Sequence, residues 1–102
     1  MQTKIIKETN RFKLEWQESL GLMPEGYCIY IKYNDEELEL AHIYKNIYKI
    51  GADTQTIMMM CGTNFQDCIT SWELFKDFVM LVDDAYERLD LSYKNNGSVV
   101  LD

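Results

Sequence analysis

The chain has 102 residues, of which 47% are apolar and 26% charged, and it carries a net charge of −7 at neutral pH. That length leaves no room for a second independent core, and the apolar share excludes wholesale disorder. No uninterrupted apolar run exceeds five residues, as in Ile57 to Cys61, which excludes a helical membrane span. No charged-then-apolar leader opens the sequence, so a single cytoplasmic domain is expected.

Ile5, Thr9, Phe12, Trp16 and Leu20 recur at helical spacing and predict a first helix, ended by Gly21 and then Pro24. A strand competes with it, because Phe12, Leu14 and Trp16 also alternate with Arg11, Lys13, Glu15 and Gln17. From Tyr27 to Tyr33 the aromatic and β-branched residues predict a strand. Asn34, Asp35 and Glu36 supply a turn, and the alternation from Glu37 to Ile43 returns the chain as the second arm of an antiparallel hairpin. Gln55 to Cys61 predicts a further strand, with residues 45–54 either a short strand or a long connection.

The most regular element is a helix opened by Thr70, with Glu73 three residues later in the pattern of a capping box. Trp72, Phe75, Val79, Val82, Tyr86 and Leu89 form its expected buried seam, widened by Leu74, Phe78, Leu81 and Ala85. Asn95-Asn96-Gly97 marks a turn, and the end of the chain, 92–102, is either a frayed tail or holds one last strand at 98–101. The fold class is therefore α+β: a helix, a three- to four-stranded antiparallel sheet, and an amphipathic C-terminal helix packed on that sheet.

Little of this pattern points to catalysis or cofactors. The sequence lacks a glycine-rich phosphate loop, an HExxH and a GxSxG. Cys28, Cys61 and Cys68 make an odd count without a CxxC pair, and His42 is the one histidine, so reduced thiols, a structural His42 and no metal or cofactor are expected. Ten basic against 17 acidic residues disfavour direct nucleic-acid binding. Lys4, Lys7, Arg11 and Lys13 are read as the outer face of the first helix.

The acidic charge is uneven, −1 over residues 1–50 and −6 over residues 51–102. Glu73, Asp77, Asp83, Asp84, Glu87 and Asp90 share one side of the last helix, and a second group, Asp35, Glu36, Glu37 and Glu39, occupies the hairpin turn. Such carboxylates either solvate a helix and a turn, or present repeated negative charge to a Lys/Arg-lined groove as DNA phosphates do. Met58, Met59 and Met60 sit in a predicted strand, whose alternation sends at least one of them away from the core face, towards a covering element or a second copy of the chain.

Phe, Tyr, Met, Ile, Asn and Lys supply 40 of the residues, against 11 for Gly, Ala, Arg and Pro, a bias towards AT-rich codons that suggests a low-GC bacterium or its phages. A short acidic chain of strands and an acid-faced helix, without catalytic motifs, resembles in character the small inhibitors of phages and mobile elements, anti-CRISPR proteins among them. That resemblance implies a non-enzymatic inhibitor whose acidic surface occupies the basic groove of a nuclease by DNA mimicry. The competing expectation is a self-associating structural or adaptor protein, a homodimer through Met58 to Met60, with its charge serving solubility alone.

Overall fold

A computed structural model describes residues 3–18, 25–45 and 63–94. Four strands in chain order, β1 (Thr3–Glu8), β2 (Phe12–Gln17), β3 (Gly26–Tyr33) and β4 (Glu36–Tyr44), pair antiparallel with their immediate neighbours to make one meandering sheet. A short helix, α1 (Thr63–Cys68), and a long one, α2 (Trp72–Lys94), follow. The α+β class, the four-stranded sheet and the C-terminal helix packed on it agree with the sequence reading.

The expected first helix is instead the hairpin β1–β2. A helix would turn Ile5, Thr9, Phe12 and Trp16 inward and leave Leu14 outside. The hairpin buries Phe12, Leu14 and Trp16 together in the core while Ile5 and Thr9 stay exposed. Period-2 burial of three large apolar side chains thus outweighs a helical seam containing a threonine. The connection is fixed locally: the Phe12 amide donates to Thr9 Oγ1 at 3.0 Å and the Thr9 amide to the Phe12 carbonyl at 2.8 Å. Lys4, Lys7, Arg11 and Lys13 consequently lie on this hairpin and not on a helix.

The β3–β4 hairpin follows the sequence reading. Asn34 and Asp35 both adopt left-handed backbone angles, φ 51° and 62°, as the two central residues of a tight twisted hairpin turn require; asparagine and aspartate tolerate that region better than most side chains. A β-bulge interrupts β4: Ile29 pairs with Ala41 but Tyr30 pairs with Glu39, so Leu40 is the extra residue.

α2 crosses the sheet through Leu74, Phe78, Leu81, Val82, Ala85 and Leu89, all buried against Phe12, Leu14, Trp16, Tyr27, Ile29 and Ile31. The seam is rotated by about one residue from the predicted one, about 100° around the helix axis. Trp72 is 70% exposed, and Phe75, Val79 and Tyr86 are half-buried. Three buried positions, Leu74, Phe78 and Ala85, sit one residue before Phe75, Val79 and Tyr86. Val82 and Leu89 of the predicted seam are thus in the core together with the predicted flank of Leu74, Phe78, Leu81 and Ala85, while Trp72, Phe75, Val79 and Tyr86 form its margin.

The helix start is also displaced by one residue. Ser71, not Thr70, is the cap, with its Oγ accepting from the Leu74 amide at 3.2 Å and its carbonyl from the Phe75 amide at 3.0 Å. At the other end the helix continues to Lys94, so residues 92–94 are not a frayed tail. The predicted strand Gln55 to Cys61, with Met58, Met59 and Met60, residues 46–54 and the segment 98–101 lie outside the described residues. Among the described residues no helix is long and apolar enough to cross a membrane.

Candidate functional site

The sheet face turned away from α2 is polar yet largely shielded. Strand alternation places Lys13, Glu15 and Gln17 of β2 on it, and the register sets them beside Tyr30, Cys28 and Gly26 of β3. Cys28 in turn faces His42 across β3 and β4. Glu15, Cys28 and His42 are all buried. Lys13 Nζ reaches Glu37 at 2.9 Å and Glu15 at 3.6 Å and lies 4.8 Å above the Tyr30 ring. Burial works against the Lys13 ammonium, but the Glu37 hydrogen bond and the charges of Glu15 and Glu37 outweigh it and raise its pKa. Gln17 Nε2 donates to the Tyr30 hydroxyl at 2.6 Å.

At the centre of this face, one donor atom each from Cys28, Glu39 and His42 lies within 4.8 Å of the other two. The bulge makes this possible. In an unbroken strand residues 39 and 42 point to opposite faces; the extra residue Leu40 turns Glu39 to the His42 side, with 4.0 Å between its Oε1 and His42 Nδ1.

Burial pushes the Cys28 thiol up to about 12, the Glu39 charge adding to the effect and a hydrogen bond with Tyr30 opposing it. Burial lowers His42 and, at the half-exposed Glu39, raises the carboxyl. The imidazole is thus neutral near pH 7. Its ring lies tilted by 38° against Tyr44 at a centroid distance of 4.1 Å, and among the described residues its buried Nε2 has no hydrogen-bond partner, so the satisfied structural histidine expected from the sequence is only partly satisfied. Gly26 makes room for the ring: a Cβ there would stand 2.4 Å from the Ile43 carbonyl oxygen and 3.1 Å from His42 Cδ2.

A Cys–His nucleophile pair does not follow from this arrangement. The thiol is 1% exposed and held protonated well above neutral pH, whereas a reactive cysteine is an accessible thiolate.

No family model, curated protein or solved structure matches this chain.

The second candidate is the outer side of α2. Glu73, Asp77, Asp83 and Glu87 are exposed; Asp84 accepts from Arg88 Nε at 2.7 Å, and Asp90 stands 3.0 Å from Lys94 Nζ. The predicted six-carboxylate arc is therefore partly neutralised along its length. Glu73, Asp77, Met80, Asp84, Glu87 and Leu91 follow one another at spacings of 4, 3, 4, 3 and 4, one straight row on the outer side of the helix. Met80 is 64% and Leu91 44% exposed. Beside this row a shallow groove of about 140 Å³ is lined by Lys7, Thr9 and Phe12 from the sheet and by Asp77, Met80 and Leu81 from α2.

The hairpin acids divide in the same way. Asp35 and Glu36 are exposed at the turn, Glu37 is bound to Lys13, and Glu39 belongs to the Cys28 and His42 group. The Cys28, Glu39 and His42 grouping was missed by sequence reasoning, because its members come from two strands and depend on a bulge. The alternation of Cys28 with Tyr27 and Ile29 was its only outward sign.

Proposed function

We propose that the chain is a non-enzymatic binding protein whose α2 row engages a Lys/Arg-lined groove on a nucleic-acid enzyme, an RNA-guided nuclease being the specific candidate. The observation that carries this reading is the row itself. Its carboxylates from Glu73 to Glu87 extend about 21 Å at 1.5 Å per residue, the length of about six nucleotide steps at 3.4 Å each. Met80 and Leu91 add apolar anchors, which a groove between protein subdomains accepts and which a purely solubilising face does not need. The net charge of −7 gives long-range attraction to such a groove.

The test compares the wild-type chain with Asp77→Lys/Asp83→Lys/Glu87→Lys, which leaves the Asp84 to Arg88 pair intact. Target-DNA binding by purified RNA-guided nucleases of low-GC bacteria is measured with each chain added. Wild type lowers DNA binding and the reversed chain does not. Equal effects of the two chains, or none from either, refute the nuclease version of the reading.

A further inference from the structure

The polar sheet face carries an inference independent of the α2 reading. Three side chains with donor atoms of different softness, a sulfur, an imidazole nitrogen and a carboxylate oxygen, come together there from two paired strands. Two of them are more than nine-tenths buried, Cys28 at 1% and His42 at 7% exposure. We propose that Cys28, Glu39 and His42 bind one divalent transition-metal ion of the zinc class, with a fourth position open on the exposed side of Glu39.

The chemistry of the donor set selects the ion. Thiolate and neutral imidazole favour zinc and its neighbours over calcium or magnesium, which prefer oxygen ligands alone. Among the described residues His42 Nε2 has no hydrogen-bond partner, and its Nδ1 is 4.0 Å from Glu39 Oε1, so no strong bond among them has to be broken first.

Tetrahedral ligands at about 2.0–2.3 Å from zinc stand about 3.5 Å from one another. The present limit of 4.8 Å must therefore contract by roughly 1 Å. Cys28 and His42 are opposite each other in the strand register, and the Glu39 side chain, half-exposed, is free to swing. Binding releases the Cys28 thiol proton to solvent and leaves a metal-held thiolate. The Tyr30 hydroxyl, itself held by Gln17 at 2.6 Å, is placed to hydrogen-bond that sulfur, the kind of outer contact that orients a ligand.

The surroundings are consistent with a built site. The β4 bulge exists at the residue that brings Glu39 onto the His42 face, and bulges recur where a side chain must be re-aimed. Gly26 leaves open the space beside the imidazole that any other residue would fill.

The experiment titrates the purified, reduced full chain with cobalt(II) as the probe and follows the near-ultraviolet charge-transfer band that only a cobalt–thiolate bond produces. The band saturates at one equivalent, is lost in Cys28→Ser, persists in Cys61→Ser/Cys68→Ser, and requires at least tenfold more cobalt in Glu39→Gln, whose half-exposed side chain the core does not need. Absence of the band in wild type overturns the proposal. So does a band that survives Cys28→Ser, or one that Glu39→Gln leaves unchanged; this last arm decides even if the serine variant fails to fold.

Discussion

Phe78 is the position at which the packing of α2 is most exposed to test. It is fully buried, and its ring meets Phe65 of α1 edge-on at a centroid distance of 5.0 Å, so it ties both helices to the sheet. Phe78→Ala removes a whole aromatic side chain from a closed site, which costs about 3–5 kcal/mol, and the lost edge-to-face pair is part of that sum. A domain of this size has about 5–15 kcal/mol in total, so about a fifth or more of the stability disappears. With a urea m-value of about 1–3 kcal/mol/M, the unfolding midpoint falls by at least about 1 M. Trp72→Ala, at a 70% exposed position stacked on Phe75, costs under about 1 kcal/mol. Urea denaturation followed by far-ultraviolet circular dichroism measures both. If Phe78→Ala costs less than 1 kcal/mol, or if Trp72→Ala costs as much as Phe78→Ala, the helix is rotated towards the seam that the sequence suggested and the packing described above is wrong.

Three further outcomes are expected. Gly26→Ala drives a Cβ to within 2.4 Å of the Ile43 carbonyl oxygen, so it lowers stability by about 1–3 kcal/mol; an unchanged midpoint refutes the close approach. His42 is depressed in the folded state by burial; below about pH 6.5 the unfolded chain takes up a proton that the native chain refuses, so stability is lost as pH falls. Glu39, raised, acts with the opposite sign above its ordinary value. Measured in the presence of chelator, the stability of wild type relative to His42→Gln shrinks as pH drops through that window, and a pH-independent difference contradicts the assignment. Sedimentation velocity across the micromolar range gives a concentration-independent monomer, whereas a dimer weakened by Met59→Lys supports self-association instead.

What the sequence disclosed follows from where its signals are local. The β3–β4 hairpin was legible because Asn34 and Asp35 are turn residues between two short β-rich runs, and their left-handed angles are what those residue types tolerate. The first hairpin was read as a helix because Ile5, Thr9, Phe12 and Trp16 satisfy a 3.6 period by coincidence, while the burial of Leu14 that decides the matter is a tertiary fact. On α2 the apolar side spans about half the circumference, so periodicity located the face but not its centre. Whether Phe75 or Phe78 lies deepest depends on Phe65 and on the strands beneath. The exposed acids of α2 were legible as composition on one side of a helix, but their pairing with Arg88 and Lys94 depends on side-chain placement. Cys28, Glu39 and His42 were invisible as a group because register and bulge, not spacing, unite them.

The central claim is that the row from Glu73 to Leu91 binds a basic nucleic-acid groove, and competition for one partner tests it most directly. Proteins retained from a nuclease-treated low-GC bacterial lysate on immobilised wild-type chain, but not on the Asp77→Lys/Asp83→Lys/Glu87→Lys chain, are challenged with DNA at about 0.05 M and 0.5 M salt, where the Debye length falls from about 14 to about 4 Å. The account predicts a retained nucleic-acid enzyme that DNA displaces, held at least tenfold more tightly at the lower salt. Equal retention by the two chains, or retention indifferent to both DNA and salt, contradicts it and leaves the charge of α2 to solubility alone.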